Sequence, residues 1–169
     1  MRFGPIIGIL AVGCWSCAAN LTAEEPPQPK FSWKLSRPQD QKMETVLSKD
    51  TVVFTLDDSR NLGYGDVELK EGQWPQHVVL RLLKFRGLEG LNIEVNQVQF
   101  EVNLPHSDDK TTINFDDQGK RTDQSDKAVY HVHVRRVKEP TAIEVEIPKE
   151  LLPAQGKSLS FHWTDFYRR

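Results

Sequence analysis

Residues Gly63 to Pro105 read GYGDVELKEGQWPQHVVLRLLKFRGLEGLNIEVNQVQFEVNLP, and the fold turns on this stretch. Val67 and Leu69 alternate with Glu68 and Lys70, the period of a strand with one face buried. Glu71-Gly72-Gln73-Trp74-Pro75 ends it, because Gly72 tolerates positive φ and Pro75 cannot donate to a ladder. From His77 to Phe85 the run HVVLRLLKF is nearly all apolar. Such a run suits a central strand covered on both faces, or a buried helical segment. Its length, the β-branched pair Val78 and Val79 and the following Gly87 favour strand.

The next segment changes parity. Leu91, Ile93 and Val95 are odd-numbered, whereas Val98, Phe100, Val102 and Leu104 are even. One unbroken strand would put the two sets on opposite faces. A two-residue hairpin loop at Asn96-Gln97 removes the conflict by pairing Val95 with Val98, Ile93 with Phe100 and Leu91 with Val102. Asn accepts the left-handed geometry that such loops need. Gln97 is a poorer second residue, so a β-bulge is the competing reading.

The same alternation continues on both sides. Val52, Phe54 and Leu56 mark one strand, Tyr130, Val132 and Val134 another, and Ile143, Val145 and Ile147 a third. Leu159, Phe161 and Trp163 mark the last, which puts Trp163 in the core. Ile113 and Phe115 suggest a short strand inside an acidic insert, and Phe31 and Trp33 begin an edge strand. Ser36 to Asp50 reads as a loop with one helical turn at most, and Asp57 to Gly65 as a turn-rich loop. Asp116 to Gly119 is a turn, and Pro148 to Pro153 one helical turn. The count is eight or nine short strands with no amphipathic helix of useful length. The expected fold is an all-β antiparallel sandwich, Ig-like or jelly-roll.

The 169 residues suffice for one domain with a real core. A net charge of −2 implies no strong nucleic-acid or membrane field, and no basic cluster with interleaved aromatics occurs. Arg2 followed by the apolar run Phe3–Val12 and then small residues reads as a cleavable signal peptide, too short to span a membrane. The expected organisation is a signal peptide at 1–23, a Pro-rich linker at 24–33 and a single domain at 34–169. The cut falls after Ala23, with Ala19 as an alternative. Ala11-Val12-Gly13-Cys14 partly resembles a lipobox, so a lipoprotein anchored at Cys14 is the rival reading, and the only one that implies a membrane. Cys14 and Cys17 both lie in the leader, so a cut after Ala23 leaves no disulfide to staple the domain.

Two segments, GQWPQHVVLRLLKFRGLEGL and the terminal WTDFYRR, resemble a family of short secreted bacterial proteins found chiefly in planctomycetes. Its members share a Trp-Pro before a strand, a Gly-Leu-Glu turn and a closing W-[IT]-DFYR. The resemblance covers most of residues 52 to 169, with gaps in the acidic insert. It implies export and the β fold, and it brings no functional residues. Thr164 stands where the family more often has an aliphatic residue.

His131 and His133 project from one strand face, as two Zn²⁺ or Cu²⁺ ligands would. A third ligand, His162 or Glu144, requires a neighbouring strand; otherwise the pair is an ordinary polar face. Glu144 and Glu146 share a face as paired glycosidase carboxylates do, but the apolar residues opposite place them toward water. Asp108, Asp109, Asp116, Asp117, Asp123 and Asp126 crowd the insert without Ca²⁺-loop spacing, so a solvated loop is the default. Arg81 or Arg168 would pair with Asp165. Trp74, Tyr64 and Tyr167 are the candidate ligand-binding aromatics, with Trp74 expected to be exposed in its turn. No nucleophile, metalloprotease, phosphate-loop or dinucleotide motif is present, so no catalytic residue and no cofactor is expected.

Three functions compete. A non-catalytic secreted binding or envelope-associated domain, with a protein or carbohydrate partner and no nucleic acid, leads. An extracellular polysaccharide hydrolase and a metal-binding protein through His131 and His133 follow. An open cleft across the Glu144–Glu146 face favours the hydrolase, three converging ligands favour metal, and a polar sheet with neither favours binding.

Overall fold

The computed structural model describes residues 27–37, 43–56, 62–85, 90–105, 108–139 and 141–166. Eleven strands run through them: β1 (Lys30–Arg37), β2 (Met43–Leu47), β3 (Thr51–Leu56), β4 (Leu62–Glu71), β5 (His77–Leu83), β6 (Gly90–Val95), β7 (Val98–Asn103), β8 (Thr111–Phe115), β9 (Tyr130–Val137), β10 (Ala142–Ile147) and β11 (Ser158–Phe166). One 3-10 turn spans Lys149–Leu151. A five-stranded sheet has the order β1-β4-β11-β6-β7 and a six-stranded sheet the order β2-β3-β5-β10-β9-β8. Pairing is antiparallel except between β3 and β5, which run parallel. The chain is an all-β sandwich.

The core lies between the sheets and follows the parity of each strand. Val78, Leu80 and Leu82 of β5 face inward, as do Val132 and Val134 of β9 and Ile143, Val145 and Ile147 of β10. Trp163 is 0 % exposed, as its parity with Leu159 and Phe161 predicts. At one end of the core Phe100 meets Phe115 edge-on at 4.9 Å. At the other Phe31 meets Phe54 at 5.2 Å and 88°. β1 therefore begins inside the stretch expected to be linker, because Phe31 has a place in the core.

The hairpin forms as the parity argument requires. Val95 pairs with Val98, Ile93 with Phe100 and Leu91 with Val102. Asn96 (φ 48) and Gln97 (φ 72) are both left-handed. Three hydrogen bonds to two residues fasten Asn96. Its Nδ2 donates to the Leu151 carbonyl at 2.7 Å. Its Oδ1 accepts from the Ser160 amide at 3.0 Å, and its own amide donates to the Ser160 carbonyl at 3.0 Å.

Two segments expected to be loops are strands. Within Ser36 to Asp50, β2 pairs with β3 from Met43↔Leu56 to Leu47↔Val52, and burial of Met43 holds it there. Only one of its five residues is buried, so its pattern is too weak to show in sequence. Within Asp57 to Gly65, β4 already starts at Leu62; residues 57–61 lie outside the described set. Gly63 and Gly65 look like turn residues, yet they are strand residues facing Trp163 and Phe161 of β11. A Cβ on Gly63 would sit inside the Trp163 indole. These glycines make room for rings, the second meaning of glycine in a strand. Of the two, only β2 adds a strand; β4 was expected from Val67 and Leu69 and simply begins earlier.

A charged hollow on the six-stranded sheet

The inward parity of β5, β9 and β10 sends the alternate residues to the outer face of the six-stranded sheet. Register then decides which of them meet. Glu144 on β10 lies opposite Arg81 on β5 and opposite Arg135 on β9. Arg81 brings Nε to 2.7 Å and Nη2 to 2.6 Å of Glu144 Oε1. Arg135 donates from Nε at 2.9 Å and from Nη2 at 2.6 Å to Oε2. Each carboxylate oxygen thus faces two nitrogens of one guanidinium, and the contacts are charge-assisted. Glu144 is buried as a result, not turned to water as its parity alone predicted.

One step along β10, Glu146 sits opposite Val79 and His133. Its Oε1 is 2.5 Å from His77 Nδ1, and Lys110 Nζ donates to Oε2 at 2.7 Å. Burial by itself would raise this carboxyl's pKa. The hydrogen bonds from Lys110 and His77, with the charge of Lys110, outweigh that and hold it below 4.5. His133 is held below its ordinary 6.5, first by burial and then by the charge of Lys110, against the opposing pull of Glu146. Its Nδ1 is 2.7 Å from Thr112 Oγ1 on β8.

These side chains border a shallow hollow of about 380 Å³, with Val53 and Val79 on its apolar side and Arg81, Arg135, Lys110 and His133 on its polar side. That volume lies within the range of small-molecule sites, about 300–1,000 Å³.

The expected site residues are scattered by the fold. His131 and His133 do share the outer face of β9, each hydrogen-bonded to β8; His131 Nδ1 is 2.8 Å from Asn114 Oδ1. Among the described residues no group of three His, Cys, Asp or Glu is placed to hold a metal ion. Trp74 is not an exposed platform. Its ring packs on Phe31 at 5.3 Å and its Nε1 donates to the Pro153 carbonyl at 2.8 Å, so it closes one end of the core. Tyr64 is 40 % exposed, but on the opposite sheet, edge-on to His162 at 6.1 Å. Tyr167 lies outside the described residues. In the insert, Asp116 Oδ1 accepts from the amides of Gln118 and Lys120, a turn role, and Asp108 pairs with Lys138 at 2.9 Å.

Sequence reasoning missed Arg135, Lys110 and His77 and offered Arg81 or Arg168 to Asp165, whose side chain lies outside the described set. A weak signal was present: Arg81 and Arg135 occupy outward positions on strands whose other faces are apolar. No family model matches the chain, and neither a curated protein nor a solved structure matches it.

Proposed function

We propose that the protein is an exported, non-catalytic binding domain, acting in the periplasm or outside the cell, and that the hollow over β5, β10 and β9 is its binding face. The observation that carries this reading is the state of the two glutamates. A hollow does cross the Glu144–Glu146 face, the feature that would favour a hydrolase. A glycosidase, however, needs one carboxyl kept protonated as the acid, with its pKa raised. Glu146 is shifted the other way, and both Glu144 oxygens are occupied by arginine forks. The pair is arranged to hold the rim in place rather than to move protons. Cations, a neutral-leaning histidine and apolar residues side by side are what a recognition surface needs. No cofactor enters the proposal.

The test is a screen of the purified protein on a glycan array and in pull-downs, run beside hydrolysis assays on polysaccharides and esters. Retention of a ligand without turnover is the expected result. Turnover abolished by Glu144→Gln or Glu146→Gln, with the fold intact, would overturn the reading. Export is proposed from the leader alone. Mass spectrometry of the exported protein should find an N-terminus after Ala23, and a lipidated Cys14 would replace that version with a membrane-anchored one.

A further inference from the structure

Resting on that reading of the hollow, we infer that its ligand is an anionic polysaccharide, a sugar chain bearing sulfate or carboxylate groups, bound against Arg81, Arg135 and Lys110. The argument begins with exposure. Three cations and two carboxylates meet there, and counted as charges they nearly cancel. They are not equally accessible. The side chains of Arg81, Arg135 and Lys110 are 33 %, 47 % and 52 % exposed, whereas those of Glu144 and Glu146 are 10 % and 16 %. The carboxylates form the floor and the cations the rim, so an incoming group meets positive charge first. Each arginine turns Nε and Nη2 toward Glu144, and the rest of its planar fork remains for a second acceptor. Glu144 fixes both guanidinium planes beforehand, which lowers the entropy cost of binding. The whole chain has a net charge of −2, so this attraction is local to the hollow.

A sugar chain fits better than an acidic peptide. The hollow lies over β3, β5, β10 and β9, inside the sheet, where every strand already has both neighbours. An extended peptide therefore finds no strand edge there to extend. Val53 and Val79, paired across β3 and β5, instead offer apolar contact beside the cations, suited to the C–H face of a sugar ring whose charged substituent reaches the arginines.

The experiment is a calorimetric titration of the purified protein with three oligosaccharides of matched length: a sulfated carrageenan fragment, an oligogalacturonate and a neutral malto-oligosaccharide. One or both charged probes should bind, the neutral one should not, and affinity should fall as salt rises. Arg135→Gln should weaken binding about tenfold, the value of one charge-assisted hydrogen bond. Because that change also strips Glu144 of a partner, Lys110→Gln serves as the second variant. Lys110 is an exposed side chain whose loss leaves the arginine forks intact, and it should weaken binding severalfold. Neutral sugar bound as tightly as charged, and lost on Val79→Glu, would overturn the anion inference while leaving the hollow as a binding face. Binding indifferent to all three substitutions, or retention of an acidic peptide but no sugar, would overturn it as well.

Discussion

Both outer faces of the sandwich carry polar residues and use them differently. On the six-stranded sheet, charge is matched across strands: Arg81, Glu144 and Arg135 form one row, and His77 and Lys110 close on Glu146. On the five-stranded sheet the charged contacts among the described residues form no such row: Lys30 pairs with Glu71 at 2.6 Å where β1 meets the end of β4, and both side chains are well exposed. Glu68 pairs with Lys70 on its own strand, Asp66 accepts from the Ser160 hydroxyl, and Tyr64 meets His162 edge-on. Alternation alone sends residues outward on both faces. Only cross-strand register turns one of them into an organised rim, because fixed neighbours are what prevent long charged side chains from sampling water.

The comparison can be broken or sharpened by substitution. The largest effect belongs to the inner layer that supports both faces. Trp163→Ala should cost about 3–5 kcal/mol in urea melts, the transfer and cavity cost of a large buried ring. A loss under about 1 kcal/mol would show that the ring is not part of the shared core. Next comes the matched face. Glu144→Gln replaces a buried, doubly forked carboxylate with an amide and should cost about 1–3 kcal/mol. An unchanged midpoint would mean that the arginines do not depend on it.

Acid should loosen the same face in two stages. His133 has a folded pKa below 6.5, so the unfolded chain binds more protons there, and stability falls as pH drops from about 6.5 toward the folded value. Glu146 has a folded pKa below 4.5. Its contribution is present above that value and is lost as pH falls through the folded one. Urea midpoints measured against pH should show His133→Gln flattening the first stage and Glu146→Gln the second; parallel curves for all three proteins would contradict the assignment. The smallest effect belongs to the other face. Asp66→Asn should change stability by no more than about 0.5 kcal/mol, because Asn can still accept from Ser160. A cost equal to that of Glu144→Gln would erase the difference between the faces.

Much of the fold was legible because hydrophobic parity is a local property. Leu91 to Leu104 encode their own hairpin, and the structure reproduces its pairs. β2 was not legible, since a strand with one buried residue has almost no alternation to read. Gly63 and Gly65 misled because their reason lies on Trp163 and Phe161, about a hundred positions away. The site was less legible still. Glu144 could be placed on the outer face from Ile143 and Val145. Its burial depends on Arg81 and Arg135, which reach it only through the order β5-β10-β9. Trp74 shows the converse error: a turn residue expected in solvent is drawn inward by Phe31 and tied to Pro153.

The most direct test of the central claim, that the outer face of the six-stranded sheet is the binding face, is a chemical-shift titration of the isotopically labelled protein with a sulfated oligosaccharide. The account predicts that shifts concentrate on Val79, Arg81, His133, Arg135 and Glu146 of β5, β9 and β10, with Tyr64 and His162 unmoved. Shifts confined to Tyr64, Asp66 and His162, with β5, β9 and β10 silent, would contradict it.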